Sequence, residues 1–155
     1  MRLIPPALPV LLLLLAGCAG APSTGGGTGG ANLRPQPGVE RGTAWQGDTS
    51  TVAERLETVA RTPEEWRALW AKAGVAAPES LSGDQMAVAI FLGARASGGH
   101  AVILEAPAAA GSGVVVPYRE TVPGPNDPVD QTPTAPFAIR LVDAKPGAVS
   151  FVLAK

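Results

Sequence analysis

One histidine and one cysteine are the only residues of their types in 155, and each limits the chemistry open to the chain. His100 closes the stretch Gly93-Ala94-Arg95-Ala96-Ser97-Gly98-Gly99-His100. A Ser-His-Asp triad would have to use it, and a metal site built from several histidines is all but excluded. Gly111-Ser112-Gly113 lacks the spacing of a nucleophile elbow. Glu64-Glu65 belong to a helix start, and Asp127 and Asp130 sit among prolines with few lysines nearby. Gly25, Gly27 and Gly30 match GxGxxG in letters only, because no strand precedes them and no helix follows. A catalytic carboxylate pair is the one enzymatic arrangement left open, so enzyme is the weaker class. The expectation is a chain without catalytic residues, cofactor or metal.

What the loop residues could do is bind. Arg95 offers a planar fork of donors suited to charge-assisted hydrogen bonds. Gly98-Gly99 lets the backbone turn sharply and approach a partner closely. A glycine pair between two apolar runs is also ordinary turn chemistry, and that reading stands beside the functional one. A second polar stretch, Pro123 to Pro136, carries five prolines over fourteen positions. Prolines make it stiff, which lowers the entropy lost on binding. The candidate partner-binding residues are therefore Arg95, Ser97, Gly98, Gly99 and His100 from the first loop, and Gln131, Thr132 and Pro136 from the second.

Cys18 points to a different chemistry. Arg2 supplies a positive start, and Leu8 to Leu15 an apolar run too short to span a bilayer. Leu15-Ala16-Gly17-Cys18 follows at once and resembles a bacterial lipobox. That resemblance implies cleavage after Gly17 and acylation of Cys18, with each buried methylene adding about 0.8 kcal/mol of membrane affinity. The alternative is a conventional signal peptide cleaved near Ala21. With its only cysteine acylated, the mature chain has no structural disulfide. The expected address is extracytoplasmic and membrane-anchored: the outer membrane in a two-membrane cell, since Ala19 and not Asp follows the cysteine, and otherwise the cell membrane.

Three segments follow from composition. Residues 1–17 read as a lipoprotein signal peptide, 18–41 as the lipidated cysteine with a Gly/Pro-rich tether, and 42–155 as the folded domain. A glycine-rich arm of about 20 residues has a root-mean-square span of about 25 Å, enough to reach a neighbour on the same membrane. The formal net charge of −1 leaves no electrostatic footprint for nucleic acid.

The elements that must position the two loops are mostly strands. Thr43 to Gln46 reads as a short strand, and Val52 to Arg61 leans the same way. Thr62-Pro63-Glu64-Glu65 is a capping box with proline at N1, and Trp66, Leu69, Trp70 and Ala73 form one apolar stripe ended by Gly74. The two tryptophans are expected in the core. Met86 to Leu92 and Ala101 to Leu104 read as a hairpin presenting the Gly98-Gly99 loop. Ala106 to Gly113 reads as a turn region, and Val114 to Val122 as a third strand with Pro117 at an edge or bulge. Phe137 to Val142 and Val149 to Leu153 read as a closing hairpin. Together these predict an α+β domain of about 110 residues, a small mainly antiparallel sheet or partial barrel with one amphipathic helix over 62–73.

Three segments then carry a family likeness: Thr-Pro-Glu-Glu-Trp-Arg-Ala-Leu-Trp at 62–70, Met-Ala-Val-Ala-Ile-Phe-Leu-Gly-Ala-Arg-Ala-Ser-Gly-Gly-His at 86–100, and Tyr-Arg-Glu-Thr-Val-Pro-Gly-Pro at 118–125, continued by Gln-Thr-Pro-Thr-Ala-Pro-Phe at 131–137. In order and spacing they resemble the C-terminal domain of the protease complex subunit PrcB family. The resemblance implies a secreted or lipid-anchored, non-catalytic module that binds and stabilises a partner protein, as the founding member does for a surface subtilisin-like protease. Two positions depart from the family pattern: His100 stands where Gly-Gly-Tyr is usual, and Arg95-Ala96-Ser97 where Arg-Pro-Thr/Ser is usual. The expected partners are the membrane, through the lipid anchor, and another envelope protein of the protease kind. Two further readings stay open: an inhibitor whose Gly-containing loop enters a protease cleft, and an envelope structural or small-ligand lipoprotein with a pocket near Trp45, Trp66 or Tyr118.

Overall fold

A strand apolar at every position needs cover on both faces, and Met86 to Leu92 receives it. In the computed structural model, which describes residues 32–40, 43–78 and 80–154, this run forms β4 (Gln85–Phe91) inside a five-stranded antiparallel sheet. Across that sheet the order is β1 (Arg34–Pro35), β2 (Ala44–Gly47), β8 (Phe137–Asp143), β4 and β3 (Leu56–Ala60). Ala87, Ala89 and Phe91 face one side, where they pack with Trp45, Trp66 and Trp70. Met86, Val88 and Ile90 face the other, toward a second sheet.

That second sheet is centred on β7 (Gly113–Thr121). Along one edge of β7 run β5 (Ala101–Leu104) and then β6 (Ala108–Ala110), both antiparallel. Along the other runs β9 (Val149–Leu153), parallel to it. Val102, Leu104, Val114 and Val116 point inward against the first sheet. Three layers result, helix on sheet on sheet, and neither sheet closes on itself into a barrel.

The helix begins and ends where the residues dictate. In α1 (Pro63–Ala73), the Thr62 side chain accepts from the Glu65 amide, the Glu65 carboxylate accepts from the Thr62 amide, and Gly74 ends the helix at φ 77°. Trp66, Leu69, Trp70 and Ala73 are buried as predicted. The three tryptophans pack edge to face, with Trp45–Trp70 centroids 5.2 Å apart and Trp66–Trp70 centroids 5.3 Å apart. The small side chains of Ala87 and Ala89 beneath them leave the room these rings need.

Several sequence expectations are corrected here. The runs 86–92 and 101–104 are not a hairpin: β4 pairs with β3 and β8, so neither of its edges is free for β5. The eight residues from 93 to 100 instead carry the chain from one sheet to the other. Nor do the last two strands form a hairpin. β8 lies between β2 and β4, while β9 crosses over to pair in parallel with β7. The alanine-rich segment holds strand β6, joined to β7 by a two-residue turn at Gly111-Ser112. Residues 52–55 are not strand, which narrows the expected element to 56–60.

Pro117 does lie at a bulge. The pairs Leu104↔Tyr118 and Ala108↔Val115 leave three residues, 105 to 107, opposite two, 116 and 117. The folded body also reaches into the stretch expected as tether, because β1 pairs with β2 and Gln36 is only 2% exposed. The signal segment 1–17 and Cys18 lie outside the described residues.

Candidate functional site

Two loops far apart in sequence are fastened side by side. The crossover 93–100 and the proline-rich segment 123–136 exchange backbone hydrogen bonds at Arg95 and Thr134, with the Arg95 amide donating at 2.7 Å and the Thr134 amide at 3.0 Å. The Gly98 amide donates to the Asp130 carbonyl at 2.7 Å, and the Thr134 hydroxyl to the Ser97 carbonyl at 2.8 Å. The ends are fixed too: Leu92 donates to the Pro136 carbonyl, Ala94 to Ala53, and Ala135 to Asp48. Backbone groups buried at the seam are thus paired with one another, as such groups must be.

Each loop is also shaped internally. Asp130 Oδ1 accepts from both the amide and the hydroxyl of Thr132, an Asx turn, and Asp127 Oδ2 accepts from the Gly124 amide at 2.7 Å. Gly99 sits at φ 81°, and a Cβ there would lie 2.7 Å from Val129 Cγ1. Gly98 differs, since a Cβ would lie 3.5 Å from its nearest neighbour, the Asp130 carbonyl. Gly99 is therefore required by the fold of the loop pair, while Gly98 is free to serve a surface.

A cleft of about 470 Å³ opens at the junction. Gly98, Gly99 and His100 form one wall, Asp130, Thr132 and Thr134 another, and Arg34 with Asp48 the third. Arg34 Nη2 and Asp48 Oδ1 are 2.6 Å apart. His100 Nδ1 is buried without a hydrogen-bond partner, and no carboxylate is bonded to that ring nitrogen, so the base-orienting contact of a Ser-His-Asp triad is not formed.

Of the eight predicted binding residues, Gly98, Gly99, His100 and Thr132 line this cleft, and Arg95, Ser97 and Gln131 lie in the same two loops outside its lining. Ser97, Gly98 and His100 are half-buried, Gly99, Gln131 and Thr132 are exposed, and Arg95 is half-buried with its Nη1 on the Ala94 carbonyl at 3.0 Å. Pro136 is the exception. It is buried and serves as an acceptor holding Leu92, so it has no face to offer a partner. Sequence reasoning missed Arg34, Asp48 and Thr134. The first two meet only because β1 pairs with β2, fourteen residues apart, and no local pattern announces that. Thr134 is a polar residue among prolines whose role depends on the loop opposite.

The geometry defines a class: a three-layer α+β domain whose site is a polar surface built from two mutually braced loops. Residues 86–141 match the family described as PrcB C-terminal, a span that runs from β4 through the crossover, β5 to β7 and the proline-rich loop into β8. The resemblance expected from the sequence is thus matched over both loops and the strands that carry them, while the segment 62–70 lies outside the matched span. No curated protein and no solved structure matches the chain.

Proposed function

We propose that this chain is a lipid-anchored accessory module, without catalysis of its own, that holds a partner protein in the cell envelope through the braced loop pair. The partner class it fits best is an extracytoplasmic protease, in keeping with the family matched over 86–141. The bracing itself carries the reading. Seven of the eight candidate residues stay at least partly exposed on two loops that are hydrogen-bonded to each other, although those loops stand some thirty residues apart in sequence. Ordering that surface before the partner arrives removes part of the entropic cost of association. An inserted inhibitory wedge finds no support in this arrangement, because 93–100 lies along another loop and does not project from a hairpin.

Anchoring follows from the residues around Cys18. Cells fed an alkyne-tagged fatty acid should label the native chain, and Cys18→Ala should abolish the label and release the protein from the membrane fraction. Label retained in Cys18→Ala would contradict the anchor. For the loops, Arg95→Ala combined with Gln131→Ala should lose the partner that co-purifies from solubilised envelopes, while the melting temperature moves by no more than about 1 °C. Undiminished co-purification would remove the loop pair from the interface.

A second reading has an observation of its own. A cleft of about 610 Å³ bounded by Pro63, Trp66, Val75 and Leu81 lies beside the helix, a volume suited to a small apolar ligand. A lipid extract that quenches or shifts tryptophan fluorescence saturably would favour that use.

A further inference from the structure

Strand β9 carries neither a charge nor a proline, and only one of its edges is taken. Its ladder to β7 has a fixed phase: the Val114 amide donates to the Ala148 carbonyl, and the Ala154 amide to the Tyr118 carbonyl. A parallel ladder in that phase turns the backbone groups of Ser150 and Val152 toward β7 and those of Val149, Phe151 and Leu153 away from it. No other strand of the described residues pairs with β9. The amides and carbonyls of those three residues therefore point outward in one row.

The other strand edges are blunted in the ways that ordinarily prevent pairing. β1 is two residues long, and β3 carries Glu57, ion-paired to Arg55 beside it. β5 and β6 are separated by the bulge at 105–107, and the Leu104 carbonyl is held by Arg140. Just before β9, the Arg61 guanidinium covers the carbonyls of Lys145 and Gly147. Beyond that point the edge is bare. It is also apolar: Val152 is 49% exposed and Leu153 56%, two of the four large hydrophobic side chains that stand exposed among the described residues.

We propose that β9 pairs antiparallel with β9 of a second copy of this chain, about a twofold axis through Phe151. In that register Phe151 faces itself across the axis and Val149 faces Leu153 of the second copy. Each of these pairs then exchanges two backbone hydrogen bonds, and all three outward residues are satisfied. A slip of two residues either way leaves one of the three outside the facing strand. The side chains agree with this register. Val149 and Phe151 pack against the core between the sheets, Leu153 shares their face, and pairing lays its exposed side chain against Val149 of the copy. Like charges set opposite one another, a usual bar to self-pairing, do not arise in a strand that has none. The strand is thus its own complement, in hydrogen bonds and in side chains. This surface is separate from the braced loops and stands whether or not they engage a partner.

The test uses two full-length chains with different tags, Ser150→Cys and Val152→Cys, produced in the same cells, isolated in mild detergent and oxidised. The unsubstituted chain, whose one cysteine is Cys18, sets the background. Positions 150 and 152 face each other across the twofold as a non-hydrogen-bonded pair, about 4.5 Å between Cα atoms, within the reach of a disulfide. Neither position faces itself. The mixed covalent dimer should therefore exceed the dimer of either variant alone about tenfold. Leu153→Pro removes one outward amide and leaves the bond from Ala154 to Tyr118 in place, so the chain should still melt cooperatively while the mixed dimer falls to background. A mixed dimer at background level, equal dimers from one variant alone, or a mixed dimer undiminished by Leu153→Pro would overturn the assignment. So would a photoreactive side chain at Val152 that captures a different protein in cells and no second copy.

Discussion

Adjacent glycines in the crossover have opposite assignments. Gly99 combines a left-handed backbone with a Cβ position already occupied by Val129, so Gly99→Ala should cost about 1–3 kcal/mol and lower the melting temperature by several degrees. Gly98→Ala meets only ordinary contact distances and should shift stability by less than about 0.5 kcal/mol. Thermal denaturation of the two variants side by side checks this, and equal losses would contradict it. Thr134→Val removes the hydroxyl that pairs with the Ser97 carbonyl and should cost about 1 kcal/mol. Native-state hydrogen exchange at the Gly98 and Arg95 amides should speed up in that variant, since both belong to the seam the hydroxyl steadies. At this scale the sequence was a good guide to which residues make up the loop pair and a poor one to what holds each in place. Ser97, Gly98 and His100 were legible as a polar cluster between apolar runs. Pro136 was not legible as a buried acceptor, because that role is assigned by Leu92, a residue more than forty positions earlier.

Elements divide by whether their signals are local. Helix α1 was readable at both ends because capping and the apolar stripe are written within a dozen residues. Thr62→Ala should remove one half of the capping box and cost about 1 kcal/mol, a fall of a few degrees in melting temperature. Trp70→Ala empties the centre of the tryptophan cluster and should cost about 3–5 kcal/mol, by far the larger effect. Strand existence was legible in the same way, through apolar runs and β-branched residues. Pairing was not. Neighbouring strands usually pair, so β4 with β5 and β8 with β9 were the natural expectations. Two physical hints argued otherwise. A run apolar at every position needs cover on both faces, which a central strand receives and a hairpin edge does not, and an eight-residue connection exceeds the two to five of most hairpins. The parallel β7–β9 pair left no sequence trace, because register across 35 positions is fixed only by the finished core.

For the whole molecule, the consequence of three layers is that the loop pair stands on rigid ground. The crossover 93–100 leaves the first sheet and enters the second, so both cores hold its ends. Composition placed the start of the folded body near residue 42, yet β1 and Gln36 show that it reaches at least to Arg34. A chain beginning at Asn32 should therefore melt several degrees above one beginning at Thr43, which loses the β1 pairing and the Arg34–Asp48 contact. Equal melting temperatures would return residues 32–42 to the tether.

Site-specific photo-crosslinking in intact cells tests the central proposal most directly. A photoreactive side chain placed in turn at Ser97, Gln131 and Thr132 should capture the same envelope protein from all three positions, and that protein should be a protease. Placed at Ala109, on a strand of the second sheet away from the loops, it should capture none. Capture from Ala109 as efficient as from Ser97, or no common partner from the three loop positions, would contradict the account.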